Sequence, residues 1–95
     1  MFNGCRRLKC TRLDRFLTYR DVERLSRILS ERYADDRYIV RISVLADTES
    51  DVATPTIFRL HSLCLIYALD MPRVLTWFGV LPNKSERTFV QDYVR

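Results

Sequence analysis

Ninety-five residues, 47% of them hydrophobic and 29% charged, make one small domain with enough apolar side chains for a core, which excludes a disordered chain. Two glycines and three prolines are too few for the tight turns of an all-β design, so the expected class is all-α with short connections. The formal net charge of +4 is uneven: residues 1–41 hold eleven Arg or Lys against six Asp or Glu, and residues 42–95 hold five against six.

Fourteen of the sixteen basic residues are arginine, whose planar fork suits phosphates and base edges. A basic half joined to a near-neutral half fits a nucleic-acid module with a separate dimerising part. Cys5, Cys10 and Cys64 have no CxxC spacing, and His61 is the only histidine. Neither a zinc site nor a Cys–His or Ser–His–Asp centre has its residues here, so no enzyme, metal or cofactor is expected, and no small-molecule ligand is evident. An odd cysteine count fits a reduced, cytoplasmic chain. The acids Asp47, Glu49 and Asp51 alternate but lack the glycine and distal glutamate of a calcium loop. The apolar stretch 60–81 is interrupted by His61, Asp70, Pro72 and Arg73, too much charge for a membrane span.

In chain order, Leu8, Arg12 and Arg15 lie three to four residues apart and predict a first helix over about 4–15. Thr18 is an N-cap residue and Asp21 closes a capping box, while Leu17 and Val22 have the spacing of a hydrophobic staple. The second helix therefore runs over 19–33. Val22, Leu25, Ile28 or Leu29, and Tyr33 form its apolar stripe, and Arg20, Glu23, Arg24, Arg27 and Glu31 face water. Ala34-Asp35-Asp36 ends it.

Residues 38–45 admit two readings. Tyr38, Val40, Ile42 and Val44 alternate as in a strand, which would have to pair between two chains as a ribbon. Alternatively a turn leads into a helix over about 41–50 with Val44, Leu45 and Thr48 inward, favoured because nothing else in the chain resembles a strand. After a loop at 50–54, Thr54 caps and Pro55 opens a fourth helix to about Leu69, apolar nearly all round and so central or at an oligomer interface. Asp70 and Pro72 open a fifth helix through Val74, Leu75, Trp77 and Phe78, closed by Gly79. Tyr67, Trp77 and Phe78 read as core or dimer interface rather than a base-stacking platform. The polar tail, 82–95, leaves Phe89, Val90, Tyr93 and Val94 to dock on something.

Taken in order, these marks resemble the XRE-like helix-turn-helix family of phage Cro and lambda-repressor type. The resemblance covers roughly residues 8–80. It rests on Leu8 and Arg12, on Leu17-Thr18, on Leu45 to Glu49, on Pro55 six residues later, and on Leu60, Leu63 and Tyr67. Phe16 stands where the family has glycine, and Ser50-Asp51 replaces the glycine that follows the glutamate. Residues 30–38 look inserted, as in a bacterial subgroup with an extended second helix. The base-facing positions hold Ile42, Ser43, Val44, Ala46 and Asp47.

The resemblance implies a lambda-repressor-like bundle of about five helices in residues 1–81, followed by the tail. It implies a bacterial transcription regulator that binds double-stranded DNA as a homodimer. Arg12 and Glu49 would form an ion pair anchoring the third helix. Tyr19, Arg20, Arg37 and Arg41 would meet phosphates, with Ile42, Ser43 and Asp47 on the base side. The alternative is a degenerate helix-turn-helix that grips a protein partner, which Ile42, Val44 and Asp47 favour.

Overall fold

Five α-helices and one 3-10 turn make up the fold in a computed structural model that describes residues 3–80; no strand occurs among those residues. The helices are α1 (Gly4–Asp14), α2 (Tyr19–Tyr33), α3 (Ile42–Glu49), α4 (Ile57–Tyr67) and α5 (Met71–Trp77), with the 3-10 turn at Asp36–Tyr38 between α2 and α3. The protein is a small all-α bundle. α2 packs on α3 and α4, α1 packs on α3 and α5, and α4 packs on α5.

The core is Leu8, Val22, Val40, Leu45, Leu60, Leu63, Cys64, Tyr67 and Val74, so every helix contributes. Leu8, Leu45 and Leu63 are fully enclosed; burying each is worth about 1.5–3 kcal/mol. Leu17 packs against this core from just before the Thr18 cap, and Val22, at the other end of the expected staple, lies within it.

α2 starts at the capping box. Thr18 Oγ1 accepts from the Asp21 N–H at 3.1 Å, and Asp21 Oδ2 accepts from the Thr18 N–H at 2.9 Å. These bonds satisfy two of the donors that every helix start leaves unpaired. The α2 stripe differs from the expected one. Val22, Ser26 and Ser30, four residues apart, lie deepest, whereas Ile28 and Tyr33 are exposed. Ser26 is tolerated inside because its hydroxyl accepts from the Val40 N–H (2.9 Å) and donates to the Glu23 carbonyl (2.7 Å). Tyr33 instead stacks on Tyr38, ring centroids 4.8 Å apart.

The strand reading of 38–45 does not hold. Asp36–Tyr38 is a 3-10 turn, residues 39–41 are extended, and α3 begins at Ile42. Of the β-branched residues only Val40 is buried in the core, and Leu45 follows from α3. The start of α4 also needs correction. Its N-cap is Thr56, whose hydroxyl accepts from the Arg59 N–H, not Thr54 with Pro55 at the first helical position. A proline disfavours helix in the residue before it, and Thr56 behind it offers a second cap two positions later. The helix ends at Tyr67 rather than Leu69.

All five helices end the same way. Phe16, Ala34, Asp51, Ala68 and Gly79 have φ of 51–87°, in the left-handed region. In each case the next residue donates its N–H back across the turn: Leu17 to the Arg12 carbonyl, Asp35 to Ser30, Val52 to Asp47, Leu69 to Cys64 and Val80 to Leu75. This is the Schellman termination, which normally recruits glycine. Here only α5 has one. Among the described residues no helix is long and apolar enough to cross a membrane. The expected tail, 82–95, lies outside the described residues.

Candidate nucleic-acid interface

α3 is held at both ends by other helices. At its C-terminal end Glu49 is buried, with Oε2 2.7 Å from Arg12 Nε and Oε1 3.0 Å from Arg12 Nη2, a two-pronged ion pair between α1 and α3. The third nitrogen of the fork, Nη1, donates to the Leu17 carbonyl at 2.8 Å. Hydrogen bonding to the Glu49 carboxylate raises the Arg12 pKa above its ordinary value, so the guanidinium stays charged. Two buried charges survive in a small core because each has its partner and all three nitrogens of the fork donate a hydrogen bond.

Tyr19 belongs to the same cluster. Its hydroxyl lies 3.4 Å from Glu49 Oε1, and the Arg12 guanidinium carbon sits 4.4 Å from its ring centroid. Its half-buried side chain is engaged inward, away from the phosphate role the resemblance implies. Tyr67 is fully buried close by, its hydroxyl has no hydrogen-bond partner among the described residues, and burial pushes its pKa up.

At its N-terminal end α3 has Arg41 as N-cap residue, with no side-chain cap of its own. Glu23 from α2 supplies one: its Oε2 accepts from the Ile42 N–H at 3.1 Å. Arg20 and Arg27, three residues before and four after Glu23, neighbour it on the α2 surface and are exposed, as is Arg24. Arg41 is exposed beside them in the chain order of α3. Arg20 and Arg27 of α2 thus flank Glu23, which reaches the head of α3 beside Arg41, while Arg24 points further round toward solvent.

Arg37 is placed otherwise. Its fork grips Asp35 (Nε–Oδ1 3.0 Å, Nη2–Oδ2 2.7 Å), and its guanidinium carbon lies 3.9 Å from the Phe58 ring centroid. The guanidinium hydrogen bonds hold the Asp35 carboxyl below its usual range. On α3 the exposed side chains are Ile42, Ser43 and Asp47, the last two one turn apart on one face; Val44 and Ala46 are half-buried. The site residues therefore divide. Arg20, Arg41, Ile42, Ser43 and Asp47 face outward, Tyr19 turns into the anchor with Arg12 and Glu49, and Arg37 pairs with Asp35.

The alternating acids diverge: Asp47 is exposed, Glu49 is tied to Arg12, and Asp51 Oδ1 lies 3.5 Å from the Cys5 thiol. No cluster of three or more metal-ligating side chains occurs among the described residues. Sequence reasoning missed Glu23 and Ser26, because their role depends on which backbone N–H a neighbouring segment leaves open. Compared with family models, with curated proteins and with solved structures, the chain matches none.

Proposed function

We propose that the chain is a helix-turn-helix regulator that binds duplex DNA as a homodimer, with α2 and α3 as the helix-turn-helix unit. The observation that carries the reading is the buried Arg12–Glu49 pair, which fixes α3 from behind while its outer face stays open beside the arginines of α2. Rigid backing is what a reading helix needs, since base edges are addressed by side chains held in register. The resemblance gains support from two backbone positions. Phe16 and Asp51, which stand at or beside the family's glycines, are both left-handed.

In this reading Arg20, Arg24, Arg27 and Arg41 contact phosphates, and Ser43 and Asp47 meet base edges, Asp47 accepting from a cytosine amino group. The exposed Ile57 and Leu65 of α4 serve the dimer, and half-sites lie about 34 Å apart. A salt-dependent mobility-shift assay tests it. Arg41→Ala should weaken binding to every duplex about equally and lower the salt slope by roughly one. Asp47→Ala should instead change the preferred base at one position, by about 1–3 kcal/mol. Absence of duplex binding at low salt would overturn the proposal.

A protein partner is the second reading, favoured by α3 itself. Its face is Ile42, Ser43 and Asp47, and the Glu23 carboxylate already occupies its first free amide. Loss of a captured partner on Ile42→Asp, in a protein that ignores DNA, would select it.

A further inference from the structure

α2 carries one carboxylate in the midst of the arginines to which the proposed phosphate contacts are assigned. Glu23 lies three residues after Arg20 and four before Arg27, spacings that put Cβ atoms about 5–6 Å apart on a helix. Both arginines are exposed, and so is Arg41, which directly precedes the Ile42 N–H that Glu23 Oε2 accepts from at 3.1 Å. That bond keeps the carboxylate at the head of α3. Among the described residues no arginine forms an ion pair with it, since the ion pairs there are Arg12–Glu49 and Arg37–Asp35.

Capping alone does not require a charge there. A serine, threonine or asparagine at position 41 would satisfy the same helix end, whereas Glu23 sets a negative charge among three cations. Duplex DNA carries one negative charge per about 1.7 Å of its axis. A carboxylate within a Debye length of those phosphates, about 8–10 Å, repels them. We infer that Glu23 is a built-in counter-charge: it fixes the head of α3 and, by its charge, limits how tightly Arg20, Arg27 and Arg41 hold any duplex. The inference rests on the reading of α2 and α3 as a DNA-binding unit.

Mobility shift of a random-sequence duplex by the full chain tests it. Glu23→Gln keeps an acceptor for the Ile42 N–H and removes the charge. It should tighten binding about three- to tenfold at about 50 mM salt, and the gain should shrink as added salt screens the charges. Glu31→Gln makes the same charge change about 12 Å further along α2 and should alter affinity less than about twofold. Glu23→Asp keeps the charge but shortens the reach, so amide exchange at residues 42–45 should quicken while affinity does not rise. Unchanged or weaker binding by Glu23→Gln, or an equal gain with Glu31→Gln, overturns the inference. So does an equal gain with Glu23→Asp, which would assign the effect to a freed helix head. Should neither the wild type nor Glu23→Gln bind duplex at low salt, the DNA reading fails and takes the inference with it. Binding by both with no gain sinks the inference alone.

Discussion

The Glu23 carboxylate of α2 accepts a hydrogen bond from the Ile42 N–H at 3.1 Å, so α3 borrows its N-terminal cap from another helix. α3 is only eight residues long, too short to hold itself in water. Glu23→Ala should cost about 0.5–2 kcal/mol, the range of a lost cap, and amide exchange should quicken first at residues 42–45. Glu23→Gln keeps an acceptor oxygen and should retain most of the protection. Unchanged exchange in the alanine variant would mean that the bond contributes nothing.

Arg12 and Glu49 should be strongly coupled. Arg12→Ala or Glu49→Ala strands a buried charge, at about 3–5 kcal/mol each. The double variant strands none and should lose less than the sum of the two, a difference that denaturant titration measures directly. Additive losses would contradict the geometry.

Phe16 is 92% exposed and left-handed, so its side chain contributes no packing while its backbone is strained. Phe16→Gly should raise stability by about 0.5–1 kcal/mol, since relief of roughly 1–2 kcal/mol outweighs the extra entropy lost on folding. A lower melting temperature would refute this.

The opposite holds at Gly4. A Cβ there would sit 2.6 Å from three carbons of the Phe78 ring. Gly4→Ala should cost about 1–3 kcal/mol by overpacking, and less in a Phe78→Leu background, where the ring is gone. An equal cost in both backgrounds would place the strain elsewhere.

Stability should fall at both extremes of pH. The Thr18 N–H and hydroxyl hold the Asp21 carboxyl below its usual range, and the Arg37 guanidinium does the same for Asp35. Both bind protons more weakly folded than unfolded. Their contribution is full above the unfolded carboxylate value of about 3.9 and is lost as pH falls through the folded values. Asp21→Asn with Asp35→Asn should flatten that acid limb in urea titrations. Burial pushes the Cys64 thiol up to about 11, so its contribution is present below the ordinary thiol value and lost as pH rises toward 11. Cys64→Ser should remove that alkaline component; an unchanged alkaline slope would argue against it.

Much of this fold was legible because its signals are local. The Thr18–Asp21 box gives α2 the bounds 19–33 that the sequence pattern predicts, since cap and stripe involve neighbours in the chain. At Thr54-Pro55 two overlapping cap signals competed and the later one prevailed. At residues 38–45 propensity alone points to a strand, and the lack of any partner strand is what favoured the turn and helix that form. Buried Ser26, Ser30 and Ser62 were illegible for a different reason. A serine enters a core only where its hydroxyl finds a partner: Ser62 donates to the Tyr38 carbonyl and Ser26 serves Val40. In the candidate site, the outward set on α3 was given by the family resemblance, whereas the inward turn of Tyr19 and the pairing of Arg37 depend on Glu49 and Asp35.

The two described glycines also invert the usual reading of that residue. Gly79 sits at a corner where several substitutes are evidently tolerated, since Phe, Ala and Asp turn the other four corners. Gly4 opens α1, a position where a side chain is ordinarily tolerated, and yet it is the one that cannot grow. As the sequence drifts, glycine should therefore come and go at positions 16, 34, 51, 68 and 79 and persist at 4. Where it is lost at 4, a smaller side chain should appear opposite it at 78.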